Sequence, residues 1–287
     1  MRPVIFEIPL PGGLRLPLHA YGLMIVIGFL LAAWLATREA RRRGLPDVIY
    51  DLGLVMLLSG LVGGRLLYYI ENYSKLYAHE SFLEFFKIWK GGLTFYGGAI
   101  TGHLGGIIYC VRKRLPTADC MDVLCFAVPV AMGFGRLGCF LNGCCYGSIC
   151  DPHFPLGVVF PPGSPAAVEQ HGLGILEPTQ LTPLPVHPAQ LYQASHDFLL
   201  GVFMYVLLRR GFIPRGGGIP LLFTLYGVGR FCLEDLRGDN PLTWTGGTLS
   251  QSIAIVLIIV YGSWYGVLYL QAKRAQWKAE RILEKTG

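Results

Sequence analysis

Apolar residues in this chain gather into blocks roughly twenty residues long, divided by short stretches rich in glycine, proline and charge. At a rise of 1.5 Å per residue, such a block covers the roughly 30 Å hydrocarbon core of a bilayer, whereas a soluble helix would carry a one-sided apolar stripe. The blocks predict seven spans, at 18–36, 51–70, 93–111, 121–141, 189–208, 217–236 and 249–271. The expected architecture is therefore an all-α integral membrane protein, a polytopic bundle of about seven transmembrane helices. Residues 1–271 are expected to form one transmembrane domain, with 148–188 inserted as an outer, periplasmic-side loop and 272–287 forming a basic tail. Within the loop, 156–160 has the composition of a short strand. Residues 71–92, aromatic with mixed charge, suit an interfacial helix.

Charge orients the bundle. Lys and Arg cluster at Arg38 and Arg41 to Arg43, at Arg112 to Arg114, at Arg209, Arg210 and Arg215, and along the tail from Lys273 to Lys285. With alternating spans these clusters share one side, and the loop 148–188 contains no Lys or Arg. The positive-inside rule then puts the N-terminus and that loop outside and the C-terminus in the cytoplasm. The arginines after the first block mark it as a retained span, since a cleaved signal carries its positive charge in front. Composition agrees, with 53% apolar and 15% charged residues, against roughly 25% charged in soluble domains. The net charge of +6 belongs to this bias, and no folded basic face for nucleic acid is present.

Against this apolar background three arginines stand out, each directly after a glycine: Gly64-Arg65, Gly135-Arg136 and Gly229-Arg230. A charge at bilayer depth costs roughly 2.5–3.5 kcal/mol on insertion scales, so intramembrane arginines usually serve a function. The guanidinium offers a planar, permanently charged fork that matches phosphate. Glu234 and Arg237 follow Arg230 at i+4 and i+7 on one face. In the topology above, Arg65, Arg136, Arg230, Tyr21, Tyr96 and the segment from His187 to Tyr192 all fall in the outer leaflet. Plainer readings stand beside this one. Arg65 can snorkel or pair with Glu71, and Arg230 with Glu234 can be a structural ion pair. Arg136 has no carboxylate near it in sequence.

The run from Gly91 to Gly106 is dense in glycine, which serves close helix packing and also admits a headgroup beside Tyr96; His103 lies two turns further on. Four of the eight cysteines fall at Cys139, Cys144, Cys145 and Cys150. Disulfides, unpaired packing thiols, a zinc site with His153 and redox chemistry are all open to them, although adjacent Cys144-Cys145 departs from usual zinc spacing.

The stretches Tyr21-Gly22, Gly63-Gly64-Arg65, Trp89 to Gly92 through Gly97-Gly98, and Gly135-Arg136-Leu137-Gly138 resemble the phosphatidylglycerol–prolipoprotein diacylglyceryl transferase family. So do Phe140, Asn142-Gly143, Gly147, the run His187-Pro188-Ala189-Gln190-Leu191-Tyr192, and Tyr226-Gly227 through Arg230, Glu234 and Arg237. The resemblance covers roughly residues 18–240 and follows the family's order. It implies an enzyme of the bacterial inner membrane, with no cofactor or metal, working at the outer leaflet. The reaction moves diacylglyceryl from phosphatidylglycerol to the thiol of a lipobox cysteine in a prolipoprotein signal peptide and releases glycerol phosphate. Carried onto this chain, Arg136 and Arg230 hold the phosphate and headgroup, Glu234 positions Arg230, and Tyr21, Asn142 and Tyr226 orient the lipid. Arg65, Gly147, His187, Gln190 and Arg237 complete the substrate-binding set, and Tyr96 stands with Arg136, Arg230 and Glu234 in the catalytic one. The chain departs from the family pattern at Tyr96, where the family has histidine, at Cys139 and Cys144 in place of asparagine and glutamate, and at Gln193 in place of glutamate. A non-catalytic relative would bind lipid or lipoprotein without turnover, and loss of Tyr96 or Arg136 function would leave that binding intact. A lipid or anion transporter would need polar groups through the inner leaflet, where the spans are mostly apolar.

Overall fold

The computed structural model describes residues 4–9, 15–73, 85–87, 92–237 and 246–286. Each of the seven predicted spans is occupied by helix. These are α1 (Ala20–Arg42), α2 (Ile49–Glu71), α3 (Phe95–Arg112), the pair α4 (Thr117–Asp122) and α5 (Ala127–Asn142), then α7 (Ala189–Arg209), α8 (Gly218–Glu234) and α9 (Leu249–Thr286). Among the described residues, five stretches are long and apolar enough to cross a membrane: Ala20–Arg42, Ile49–Glu71, Thr117–Asn142, Ala189–Arg209 and Leu249–Glu284. Large apolar side chains point outward along them, among them Val26 and Leu30 of α1, Leu58 and Val62 of α2, Leu199 and Val202 of α7, and Ile259 and Val260 of α9. In water such a surface would aggregate, and in lipid it is the expected exterior.

The sequence pattern missed some local features. A two-stranded antiparallel hairpin, β1 (Val4–Pro9) and β2 (Arg15–His19), precedes α1 and is the exception to the all-α expectation. The fourth span breaks at 123–126, where the chain turns before Pro129 in the first turn of α5. Beside the break, Asp122 accepts the amides of Gly216 and Gly218, at 2.7 and 2.8 Å, at the start of α8. That carboxylate satisfies orphan donors and complements the positive end of the helix dipole. Helix α9 continues through 272–286, so the basic tail extends the last span without a break. The predicted interfacial helix at 71–92 lies largely outside the described residues.

Two compact units divide the chain, Met1–Ala32 with Met121–Gly287, and Ala33–Cys120. In the second unit, α2 packs on α3 through the glycines read in the sequence. A Cβ on Gly98 would come within 3.2 Å of the Gly60 carbonyl, and one on Gly97 would press into the Gly63 carbonyl. Thr101 Oγ1 donates to the Ser59 carbonyl across the same contact, at 2.9 Å. In the first unit α5 packs on α7, α7 on α8, and α8 on α9.

The loop 148–188 and the residues just before it form a small folded body. Tyr146, Phe160, Ala166 and Val186 bury a core, with Phe140 and Val158 against it. The segment expected as a strand contributes one bridge, Val158 to Val186, while the loop's regular element is the short helix α6 (Pro165–Gly172). Ser164 caps that helix, its hydroxyl accepting the Ala167 amide at 3.3 Å, with Pro165 pre-set for the first turn. Gln170 clips Leu184 by both its amide and its carbonyl.

Candidate functional site

Helices α5, α7 and α8 and the turn after α5 enclose a recess lined by Arg136, Cys145, Ala189, Gln190, Tyr192, Gln193, Arg230, Leu233 and Arg237. Spacing explains the contributions. Ala189, Gln190, Tyr192 and Gln193 occupy the first turn and a half of α7, while Arg230 and Leu233 are neighbours at i+3 on α8. Arg136 thus shares one recess with Arg230 and Arg237, which are distant from it in sequence.

Arg230 is the most firmly held. It is 9% exposed, pairs with Glu234 at 2.8 Å one turn on, and donates to the Ser250 hydroxyl at 3.1 Å. Glu234, 1% exposed, also accepts from the Thr248 hydroxyl at 2.7 Å. A buried ion pair of this kind is expensive to desolvate and fixes geometry more than it adds stability. The ion-pair reading of Arg230 and Glu234 therefore holds together with the place of Arg230 at the recess.

Arg136 is half-buried on α5, and its guanidinium donates to the Tyr226 hydroxyl. A carboxylate also acts on both Arg136 and Tyr226, supplied by Asp197 from α7. Asp197 is fully buried; its Oδ1 accepts from Gln193 at 2.9 Å and pairs with His196 Nδ1 at 3.1 Å. His196 in turn packs its ring against the backbone of Gly229, immediately before Arg230, where any Cβ would collide with it. Asp197 and His196 were not singled out in the sequence. The signal was present, since an acidic residue inside the apolar block 189–208 already marks a functional position.

The remaining expected residues distribute as follows. Tyr21, at the start of α1, lies against Gly138 of α5 and within electrostatic reach of Arg136. Tyr226 is 4% exposed beneath Arg136. Gln190 lines the recess and donates to the Cys144 carbonyl at 2.8 Å, tying the turn to α7. Asn142, the last residue of α5, donates to Cys144 Sγ at 3.6 Å. His187 Nδ1 meets the Tyr192 hydroxyl at 3.4 Å, and its ring packs on Phe154. Gly147 is threaded between the carbonyls of His187 and Leu236, and its amide donates to His187 at 2.8 Å. Two expected residues belong to the other unit. Arg65 is 2% exposed and spends its fork on backbone carbonyls, Phe85 at 2.8 Å, Gly92 at 3.1 Å and Lys87 at 3.5 Å. That burial departs from a snorkelling cation. Tyr96 lies in the first turn of α3, its side chain outside the described residues.

All eight cysteines are free thiols. Hydrogen bonds from the thiols of Cys139 and Cys144 hold the Cys145 thiol well below the ordinary thiol range, the Arg237 and Arg136 charges act the same way, and burial opposes them. Arg136, Arg230 and Arg237 bring positive charge to the recess, which suits an anionic ligand.

A helical, apolar chain with five helices among the described residues able to span a bilayer is a multi-pass membrane protein, and its recess gathers three arginines. It belongs to the prolipoprotein diacylglyceryl transferase family, whose profile matches residues 3–267. The chain is 33% identical over 262 residues to the phosphatidylglycerol–prolipoprotein diacylglyceryl transferase of Clostridium tetani, covering 91% of this chain and 95% of that one. Against the proteins of the same name from Geobacter sulfurreducens and Escherichia coli O1:K1 it is 33% and 32% identical, covering 87% and 90% of this chain and 87% and 89% of those.

Proposed function

We propose that this protein transfers the diacylglyceryl group of phosphatidylglycerol to the thiol of a prolipoprotein lipobox cysteine, releasing glycerol phosphate. The transferase reading rests on family membership, and the observation that carries its mechanism is the gathering of Arg136, Arg230 and Arg237 around one recess. In the reaction, thiolate sulfur attacks the glycerol carbon, an S–C bond forms and the C–O bond to phosphate breaks. The bonding electrons leave with the phosphate oxygen, so a diester monoanion becomes a more highly charged monoester. Donors already in place where that charge develops lower the barrier more than the ground state. Arg136 and Arg230 take the phosphate, Glu234 and Ser250 fix Arg230, and Tyr226 and Asp197 fix Arg136. Tyr21 and Asn142 orient the headgroup.

A strong base is not needed. A free thiol has a pKa near 8.5, so ionising it at pH 7 costs about 2 kcal/mol, and the same arginines favour the thiolate. Tyr96 in place of the family's histidine is compatible with this balance. The chain sits in the bacterial inner membrane with seven spans, N-terminus and outer loop outside, and the recess in the outer leaflet where a secreted signal peptide presents its cysteine. The test uses purified protein in phosphatidylglycerol vesicles with a lipobox peptide, reading the thioether-linked diacylglyceryl adduct by mass spectrometry. Adduct formation that requires phosphatidylglycerol and the peptide's cysteine is the expected result. Folded protein giving no adduct above vesicles alone would sink the reading.

A further inference from the structure

Three thiols meet beside the recess without any role in the reaction above. The sulfurs of Cys139, Cys144 and Cys145 all lie within 4.8 Å of one another. Cys139 is buried on α5, and the other two sit half-buried in the turn that follows. Adjacent cysteines on an extended strand would point to opposite sides, so their convergence has a specific backbone cause. Gly143 ends α5 with φ +74°, and Cys145 itself adopts φ +60°. The left-handed Gly143 closes the helix so that the Cys144 amide returns to the Cys139 carbonyl at 3.1 Å, and the left-handed Cys145 turns the chain again directly after it. For a non-glycine residue that conformation is disfavoured by about 1 kcal/mol or more, and such strain concentrates where a side chain must be aimed.

We propose that Cys139, Cys144 and Cys145 form a three-thiolate site for a divalent d10 cation of the zinc class. Thiolates are soft ligands that select such ions over calcium or magnesium. Three protein ligands leave one position of a tetrahedral ion for water or another ligand, the arrangement of open rather than closed zinc sites. Charge is balanced locally. Three thiolates around a divalent ion carry one net negative charge, and Arg136 and Arg237 border the same recess as Cys145. Support around the ligands is also in place, with Asn142 Nδ2 donating to Cys144 Sγ at 3.6 Å and Gln190 holding the Cys144 carbonyl at 2.8 Å. Cys145 lines the recess, which supplies an entry path. His153, the further ligand weighed in the sequence, is not in the cluster; its amide instead donates to Asp151. The site does not depend on which reaction the recess serves, and metal binding is read without assaying transfer.

The experiment takes full-length protein in detergent micelles, reduced with a phosphine and desalted, and titrates it with Cd2+ and with Zn2+. The expected result is about one equivalent of Cd2+ bound per chain with thiolate-to-metal charge-transfer absorption, and displacement by Cd2+ of Zn2+ bound beforehand. Iodoacetamide footprinting of the unmodified chain adds a reading that needs no variant. Zn2+ should slow alkylation of Cys139, Cys144 and Cys145 together by about tenfold or more while leaving Cys150 and Cys232 unchanged. Cys139→Ser and Cys145→Ser should each abolish the charge-transfer band, and Cys150→Ser and Cys110→Ser should keep it. A band that survives Cys145→Ser, or three thiols whose alkylation ignores Zn2+, overturns the proposal. So does a disulfide among these three cysteines in chains acid-trapped directly from cells.

Discussion

Arg136 and Arg65 both follow a glycine in an apolar helix, yet they meet different partners. Arg65 is enclosed by the backbone carbonyls of Phe85, Lys87 and Gly92, whereas Arg136 faces a recess beside Tyr226 and Asp197. The same substitution should therefore act differently at each. Arg136→Lys keeps the charge but loses the bidentate fork. With a contact made chiefly in the transition state removed, transfer to a lipobox peptide should fall about a hundredfold, on the order of 3 kcal/mol, with insertion and yield unchanged. Wild-type activity in Arg136→Lys at matched protein level would take Arg136 out of the mechanism. Arg65→Lys cannot serve three carbonyls in one plane and should show itself first as a lower thermal midpoint in detergent. Asp197→Ala should also destabilise, by about 3 kcal/mol, because it strips a fully buried carboxylate from partners that stay behind. A melting curve identical to the parent's would contradict that. Cys144→Ser should retain most transfer, since the substrate supplies the reacting thiol; its complete inactivation as a well-folded protein would count against the proposed chemistry.

At the scale of elements, glycine marks where helices touch. The α2–α3 contact leaves no room for a side chain on Gly63 or Gly97, while Gly22 on α1 has open space around its missing Cβ. Gly97→Val should therefore cost about 1–3 kcal/mol by overpacking, seen as early melting or poor recovery from membranes. Gly22→Ala should be neutral to slightly stabilising, as expected for an exposed helical position with space available. Equal melting of the two variants would dissociate glycine content from packing. The turn after α5 shows an element that spacing alone misjudges. Cys144 and Cys145 are adjacent, which argued against shared ligation, but the left-handed Gly143 and Cys145 bring both sulfurs round to Cys139. The break between α4 and α5 is similar. It reads as one apolar block in sequence, and Asp122 within that block finds its partners at the start of α8.

For the whole molecule, the basic ends of α1, α3, α7 and α9 and the outer loop without Lys or Arg predict an orientation. A fluorescent reporter that folds only in the cytoplasm should be active when fused after Gly287. A phosphatase active only outside should work when inserted at the exposed tip near Gly163. Swapped activities would reverse the topology and move the recess to the inner leaflet, where a secreted cysteine cannot reach it. The sequence by itself determined the membrane class, the position of the long apolar helices and the identity of the arginines, because hydropathy and charge accumulate locally along the chain. It also carried the family pattern from Tyr21 to Arg237. Only the tertiary structure decided which polar groups meet. Asp197 reaches Arg136 from another helix, Arg65 turns to carbonyls beyond its own helix, and three cysteines converge through a reversed turn. These pairings depend on helix register and on two backbone angles, quantities to which an apolar block of the right length is indifferent.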